Sequence, residues 1–448
     1  MTIFKKVKKE KYSLQSQMIW NAAGYLVYMF CQWLITFLIA NISTDLADAG
    51  ILSLAMSVSA TFQTIATFGI RNYQVSDVAG EYSNTCYVHF RWITCGISLI
   101  SCAVFAFFSR SSLEQFVAVI FYMIFRLSEN FADVLHGIAQ KNKRLDVSGK
   151  SLALNSIVSL AAFLGGYIAT KQILVGLGLM AGLSVVSIVV YDIPAVKKLA
   201  KFKMFDKRSS YAKLTGHRSQ WISLAWHTLP LAVYLFLNSA LSAIPKLLLE
   251  KFYNESNGMM FEGVVLDSDT VLGIYSSVFA PALLISAMAS YLYSPFVPFF
   301  AEAYRAKDTK AFLKTFIKLT VAITALGIIV IIAAIFLGEF GLSILFASKP
   351  EIPAHSHLLI PIMVGIFVGA IFTFLCTLEV VFRDFLWLII SCATGALIEI
   401  FATIPLIKQF GMDGATYSLI IASAIPAVIL LLRMLWILLR KGKRQKGV

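Results

Sequence analysis

The sequence predicts an all-α integral membrane protein of about twelve transmembrane helices in two six-helix lobes. Three observations predict it. Apolar residues make up 58% of the 448 positions and charged residues 14%, with a mean hydropathy of +0.79; soluble globular chains carry roughly 45–50% apolar and about 25% charged residues. Apolar runs long enough to cross a bilayer recur along the whole chain. Lys and Arg are crowded into every second connection between those runs.

The first seventeen residues are basic, and the run after them, 18–40, is too long and too polar-flanked for a cleaved signal peptide, so it reads as the first span. Polar or Pro/Gly punctuation then bounds spans at 46–69, 86–108, 113–137, 151–170 and 172–191. The segment 192–220 is a basic connection with Lys197, Lys198, Lys201, Lys203, Lys207, Arg208, Lys213 and Arg218. Six more runs follow at 221–247, 271–297, 316–338, 357–381, 385–406 and 413–439. The chain thus divides into an N-terminal lobe, 1–191, a basic linker, 192–220, and a C-terminal lobe, 221–448. A lipid-exposed backbone must satisfy its own hydrogen bonds, and the period-two alternation of a barrel strand is absent, so the runs are helices. They leave no room for a soluble catalytic domain.

Assigning each Lys and Arg to a side gives 29 of 38 on the side of the termini. Only five fall on the other side: Arg110, Lys171, Lys251, Lys349 and Lys408; four lie within spans. One miscounted span would scramble this ratio, so both termini are expected in the cytoplasm. The net charge of +14 is spread over alternate connections, without a basic face interleaved with aromatics. That pattern points to anionic lipid headgroups and away from nucleic acid. With an even number of spans per half, any internal repeat is parallel, related by an axis along the membrane normal. Gly50-Ile51-x-Ser53 and Gly273-Ile274-x-Ser276 open the second and eighth spans at matching places. All six cysteines lie in or at the edge of apolar runs and read as free buried thiols.

Ionisable residues deep in a bilayer are costly and mark function. In the fourth span Arg126, Glu129, Asp133, His136 and Gln140 share an arc of about 80° on a helix, a polar stripe running toward the cytoplasmic edge. Arg126 lies roughly 20 Å from the outer end, too deep to snorkel. One reading makes Arg126 and Glu129 a self-neutralising i, i+3 pair, with Asp133 and His136 solvated. The other lines a hydrophilic cavity with them. Arg126 then meets an anionic group, for which its fork of donors is suited, and Glu129 or Asp133 binds H+ or Na+. Glu399 is a second deep charge, either a neutral group in a helix interface or an ion site. Asn238, Ser242 and Lys246 form a polar seam on the seventh span. Arg91, Arg433, Glu302, Glu379 and Lys246 lie near helix ends, where snorkelling is expected. Prolines such as Pro230, Pro245, Pro281, Pro295, Pro298, Pro361, Pro405 and Pro426 predict kinks.

Gly149-Lys150-Ser151 resembles the end of a phosphate-binding loop, but Arg144 stands where its first Gly belongs, so ATP hydrolysis is excluded. His355-x-His357 lacks further ligands nearby, and no metal or other cofactor is expected beyond H+ or Na+ as a coupling ion. Asn41-Ile42-Ser43 and Asn254-Glu255-Ser256 are sequons, short patterns of low specificity.

Asp48-Ala49-Gly50-Ile51-Leu52-Ser53-Leu54-Ala55-Met56-Ser57-Val58-Ser59, with the later Phe68-Gly69-Ile70-Arg71-Asn72-Tyr73-Gln74-Val75-Ser76-Asp77, resembles the second helix and following loop of Wzx-type oligosaccharide-lipid flippases. These belong to the multidrug/oligosaccharidyl-lipid/polysaccharide exporter superfamily, which also holds MATE exporters and peptidoglycan-precursor flippases. The layout of twelve spans and a basic central linker is similar too. The resemblance implies a MATE-like fold in the bacterial cytoplasmic membrane, and alternating access to a central cavity. It implies an undecaprenyl-diphosphate-linked oligosaccharide as substrate: a capsule, O-antigen, exopolysaccharide or teichoic-type unit. It also implies a polysaccharide polymerase and chain-length machinery as partners. The role of cationic cavity residue passes to Arg126, and with it Arg71 and Arg91. A MATE-type exporter of cationic drugs would want a net acidic cavity, against Arg126. A membrane-embedded polymerase would need a larger outer segment than 248–270 or 339–356 provides.

Overall fold

The computed structural model describes residues 14–76, 82–200, 220–253, 260–261 and 264–446. The basic N-terminus, most of the linker (201–219) and Asn254 of the second sequon lie outside the described residues. The N-terminal lobe comprises α1 (Leu14–Ile42), α2 (Ala47–Thr67), the short α3 (Ile70–Ser76), α4 (Asn84–Ser109), α5 (Leu113–Lys141), α6 (Leu145–Thr170) and α7 (Ile173–Ser187). A π-turn, Ile188–Asp192, carries α7 into α8 (Ile193–Ala200). The C-terminal lobe opens with α9 (Gln220–Phe252) and a two-residue hairpin, β1 (Met260–Phe261) with β2 (Val264–Val265). α10 (Ser268–Phe279), α11 (Leu283–Tyr293), α12 (Val297–Arg305), α13 (Thr309–Leu345), α14 (Glu351–Ala354), α15 (Leu359–Phe382), α16 (Phe385–Phe410) and α17 (Met412–Lys446) complete it.

Eleven helical runs among the described residues are long and apolar enough to cross a membrane. α5, at 29 residues, is equally long and stands apart because the polar stripe interrupts its apolar character. With it the count is twelve, so the start of α1 and the end of α17 share one face, here the terminal face. Most boundaries lie close to those expected. The predicted span 271–297 differs: it is α10, α11 and α12, broken by 3-10 turns at Ala280–Ala282 and Ser294–Phe296, where Pro281 and Pro295 remove backbone donors. Pro230 and Pro245 of α9, Pro405 of α16 and Pro426 of α17 sit inside uninterrupted helices instead.

Within the N-terminal lobe α1 packs tightly along α6. A Cβ on Gly24 would stand 2.0 Å from the Gly149 carbonyl oxygen, and one on Gly149 2.1 Å from that of Trp20. The residues resembling a phosphate loop therefore lie within α6, where Gly149 admits a neighbouring backbone and Lys150 lies over the Trp20 ring at 4.8 Å.

The buried core shows how the lobes meet. Toward the face opposite the termini one cluster is continuous across both lobes, from Ile35, Leu52 and Tyr122 to Val271, Tyr275 and Ile362. Toward the terminal face it separates into a C-terminal cluster around Phe300, Phe374 and Cys392 and one around Tyr87, Leu135 and Val196 of the N-terminal lobe, to which the start of α9 adds Leu224. The molecule is closed at the opposite face and, apart from the start of α9, which packs on the N-terminal lobe and bonds Tyr82 through Ser223, parted at the terminal face.

The closure is built on the repeated Gly-Ile-x-Ser. A Cβ on Gly50 would stand 1.9 Å from the carbonyl oxygen of Asp269, and one on Gly273 2.2 Å from that of Leu46. Each partner lies four residues before the other glycine, so α2 and α10 cross about a local two-fold axis. The Ser53 and Ser276 hydroxyls meet there at 2.5 Å. Gln115 fastens the same face. Its Oε1 accepts from the Ser111 backbone N–H (2.9 Å), which turns its amide nitrogen toward the other lobe; there it donates to Glu250 (3.0 Å) and Asp269 (2.8 Å). Thr270 donates to Asp45, and Lys349 to the Thr44 carbonyl.

Candidate functional site

α5 positions the stripe, and its neighbours divide it. Nearest mid-membrane, Arg126 Nη1 donates to Glu129 Oε2 (2.9 Å) and to the Tyr28 hydroxyl of α1 (2.7 Å). Tyr28 donates in turn to the same carboxylate at 3.4 Å. The guanidinium also lies 5.3 Å from the Tyr122 ring centroid, and the Tyr122 hydroxyl reaches Gln32 of α1. Arg126 and Glu129 each keep 13% of the side chain accessible, so they border an open space and are not sealed in a core. The paired reading of Arg126 and Glu129 and the cavity reading are therefore compatible: the pair exists, and it faces accessible space.

One turn further on, Asp133 faces different partners. Its carboxylate binds Arg71 of α3 (2.7 Å) and Arg91 of α4 (3.3 Å). Arg91 is fully buried and also donates to the Ala66 carbonyl, while Arg71 keeps 31% exposure and reaches Gln140. Sequence reasoning grouped Arg126, Glu129 and Asp133 in one cavity, let Arg91 snorkel, and by resemblance gave Arg71 and Arg91 the role of cationic cavity residues. The structure instead makes Asp133 the clasp between two arginines at the end of α2. His136 is buried rather than solvated and pairs with Asp192 (3.0 Å), which the π-turn swings toward α5.

In the C-terminal lobe Glu399 is fully buried, accepts from Thr403 (2.8 Å), and leaves Oε1 without a hydrogen bond among the described residues. Lys246 is half-buried with its Nζ 4.6 Å from the Phe279 ring centroid, and Asn238 is half-buried on the same helix. Two expected snorkelling residues do not snorkel. Arg433 pairs with Asp384 (2.7 Å) and lies against Trp387 and Trp436, and Glu379 is buried at 1% exposure because α15 is enclosed by its neighbours. His357 pairs with Asp413 at 3.6 Å and His355 bonds the Glu351 carbonyl.

The residues that sequence reasoning missed are the partners of Arg126 within its own lobe, Tyr28 of α1 and Tyr122 of α5 itself, and Gln32 of α1, which Tyr122 reaches. Tyr28 and Gln32 are spaced i, i+4 on α1, and Tyr122 precedes Arg126 by one turn, so each was visible as a helical pair. No pattern said that the two faces would confront each other.

This two-lobed arrangement of twelve spans, closed at one face and parted at the other, is the fold of the MATE-like transporters of the multidrug/oligosaccharidyl-lipid/polysaccharide superfamily. No family model matches the sequence. Among curated proteins the chain is similar to the capsular polysaccharide biosynthesis protein CapF of Staphylococcus aureus, 23% identical over 319 residues, covering 71% of this chain and 74% of the relative. Among solved structures it is similar to a multidrug resistance MATE family transporter in its inward-facing conformation, at a TM-score of 0.67 and 10% identity, covering 94% of this chain and 99% of that one. The lipid II flippase MurJ in an inward closed conformation gives a TM-score of 0.67 at 12% identity, covering 93% and 87%. The low identities make these likenesses of fold.

Proposed function

We propose that this chain is a flippase for lipid-diphosphate-linked oligosaccharide, taking its substrate at the terminal face and delivering it at the opposite face by alternating access. The observation that carries the reading is Arg126: a guanidinium near mid-membrane, bordering accessible space and balanced by a single carboxylate that a diphosphate could replace. The likeness to a capsule-biosynthesis protein agrees with a glycan cargo. A lipid tail also needs a lateral way out of the cleft. α2 packs along α9 on one side, whereas on the other α1 approaches α10 at few points and touches α11 through the Tyr291 hydroxyl and Met29 Sδ at 3.3 Å.

On this reading the terminal face is cytoplasmic in a bacterial inner membrane, an orientation that the 29-to-5 bias of Lys and Arg supports. Arg126 meets the diphosphate, Lys246 and Asn238 serve as further contacts on the C-terminal lobe, and Glu129, with Glu399 as second candidate, takes up H+ or Na+. A polymerase with its chain-length machinery would receive the product. The decisive experiment is depletion of the chain in its source cell followed by analysis of lipid-linked intermediates. A completed repeat unit on polyprenyl diphosphate should accumulate in the inner leaflet. Unchanged lipid-linked pools, together with hypersensitivity to cationic drugs, would overturn the reading in favour of drug export.

A further inference from the structure

A groove of about 290 Å³ opens on the membrane side of the opposite face, away from the cleft. α4 and α5 of one lobe and α9 and α16 of the other form its walls, with α2 as its floor. Deeper in the groove the walls are apolar: Leu54, Val58, Phe116, Val119, Ile244 and Leu247. The polar residues all come from helix ends, with Arg110 closing α4 and Lys251 near the end of α9.

Arg110 and Lys251 are two of only five Lys and Arg assigned to this side of the protein. Both are exposed, and neither makes an ion pair among the described residues. Glu250, beside Lys251 in the chain, is 5% exposed and already occupied by Ser111 (2.5 Å) and Gln115 (3.0 Å), and the exposed Glu114, four residues after Arg110, makes no ion pair with it among the described residues. The Arg110 guanidinium rests 4.3 Å from the Phe107 centroid and 5.6 Å from that of Phe116, which holds it over the rim while leaving its N–H edge free. Of the other three cations on this side, Lys349 is spent on the Thr44 carbonyl, Lys171 lies over Tyr167 and Lys408 over Phe252. A slot of hydrocarbon character, capped at headgroup level by two cations that make no ion pair among the described residues, has the charge and shape of a phospholipid turned inside out.

We propose that this groove binds one anionic glycerophospholipid of the distal leaflet, its acyl chain between α5 and α9 and its phosphate held by Arg110 and Lys251. The site lies outside the transport cleft, and its test does not depend on transport.

The test is lipid retention by the purified chain, read by native mass spectrometry after exchange into detergent with equal phosphatidylglycerol and phosphatidylcholine. The parent should keep phosphatidylglycerol about tenfold over phosphatidylcholine. The pair Arg110→Ala with Lys251→Ala should abolish that preference, whereas Lys171→Ala with Lys349→Ala, which removes equal charge on the same face, should not. Val58→Trp, which fills the groove, should lower retention while Arg110 and Lys251 remain, with thermal unfolding checked in parallel. Because Arg110 and Lys251 are exposed, the charge pair tests the proposal even if Val58→Trp fails to fold. Equal retention of both lipids by the parent, or equal loss in the two charge pairs, would overturn it. Displacement of phosphatidylglycerol by an equimolar polyprenyl phosphate would overturn the choice of a glycerophospholipid.

Discussion

Ser53 of α2 and Ser276 of α10 hold hydroxyl oxygens 2.5 Å apart at the crossing that closes the opposite face. The bond is possible because Gly50 and Gly273, three residues before each serine, bring two backbones within reach. In any cycle that exposes the cleft alternately to each side, this crossing must part and re-form.

Widening either glycine should therefore hold the opposite face open. A side chain at position 50 would collide with the Asp269 carbonyl and one at 273 with that of Leu46, both backbone atoms that cannot swing aside. Gly50→Leu should raise modification of a cysteine placed at Leu46, 3% exposed in the closed face, by an impermeant maleimide. Translocation should fall at least tenfold while membrane abundance stays normal. Unaltered labelling would mean that the crossing is not the gate.

Arg126→Ala should abolish glycan export without loss of protein from the membrane. Arg126→Lys should recover part of it, since a point charge replaces a two-pronged donor while still pairing with Glu129. Export is read as surface glycan, and normal export by Arg126→Ala would leave the pair with Glu129 as a neutralising contact only.

Asp133 should behave differently from Glu129. Removing its carboxylate strands the fully buried Arg91 and frees Arg71. Breaking a buried pair from one side costs about 3–5 kcal/mol, and with a quarter of Asp133 exposed the lower end applies. Asp133→Ala should lower the thermal unfolding midpoint markedly, whereas Glu129→Gln, which keeps an acceptor for Arg126 and Tyr28, should leave it nearly unchanged. Equal midpoints would remove the structural role assigned to Asp133.

The contrast between these carboxylates marks where sequence reading stops. Hydropathy fixed the spans well because lipid permits one solution for a backbone; α10–α12, broken at Pro281 and Pro295, and α7, carried by a π-turn into α8, departed from a simple rod. Periodicity placed Arg126, Glu129, Asp133 and His136 on one face of α5, and they are there. It could not say that α1, the α3–α4 pair and the π-turn would each meet a different stretch of that face. Gly50 and Gly273 were legible as a repeat, but a glycine states only that something comes close. Gln115, which fastens the closed face, was invisible, because its partners Glu250 and Asp269 are brought to it only by the docking of the lobes.

Topology is checked independently of mechanism. Single cysteines replacing Lys213 and Ser256 should be labelled from opposite sides of sealed vesicles, the first from the cytoplasmic side. Labelling of both from one side would mean an even number of crossings between them, contrary to α9 as a single span.

Energy coupling follows from the triangle of Tyr28, Arg126 and Glu129. Without substrate the Glu129 carboxylate is balanced by Arg126 Nη1 at 2.9 Å, and the Tyr28 hydroxyl bonds both groups. A substrate diphosphate that engages Arg126 competes for the donors that hold Glu129. A carboxylate stripped of its cation in a poorly solvated site takes up H+ or Na+ in compensation. Binding of substrate and ion then become linked through one arginine, and such linkage is reciprocal: the ion must favour substrate as much as substrate favours the ion. In proteoliposomes, translocation of lipid-linked oligosaccharide by the parent should rise with an imposed proton or Na+ gradient. Glu129→Gln should keep a basal rate and lose the gradient dependence. Glu399→Gln is the comparison, because Glu399 is buried in the other lobe with Thr403 as its partner and no arginine. If Glu399→Gln alone loses the dependence, the coupling site lies in the C-terminal lobe and Glu129 serves only to position Arg126.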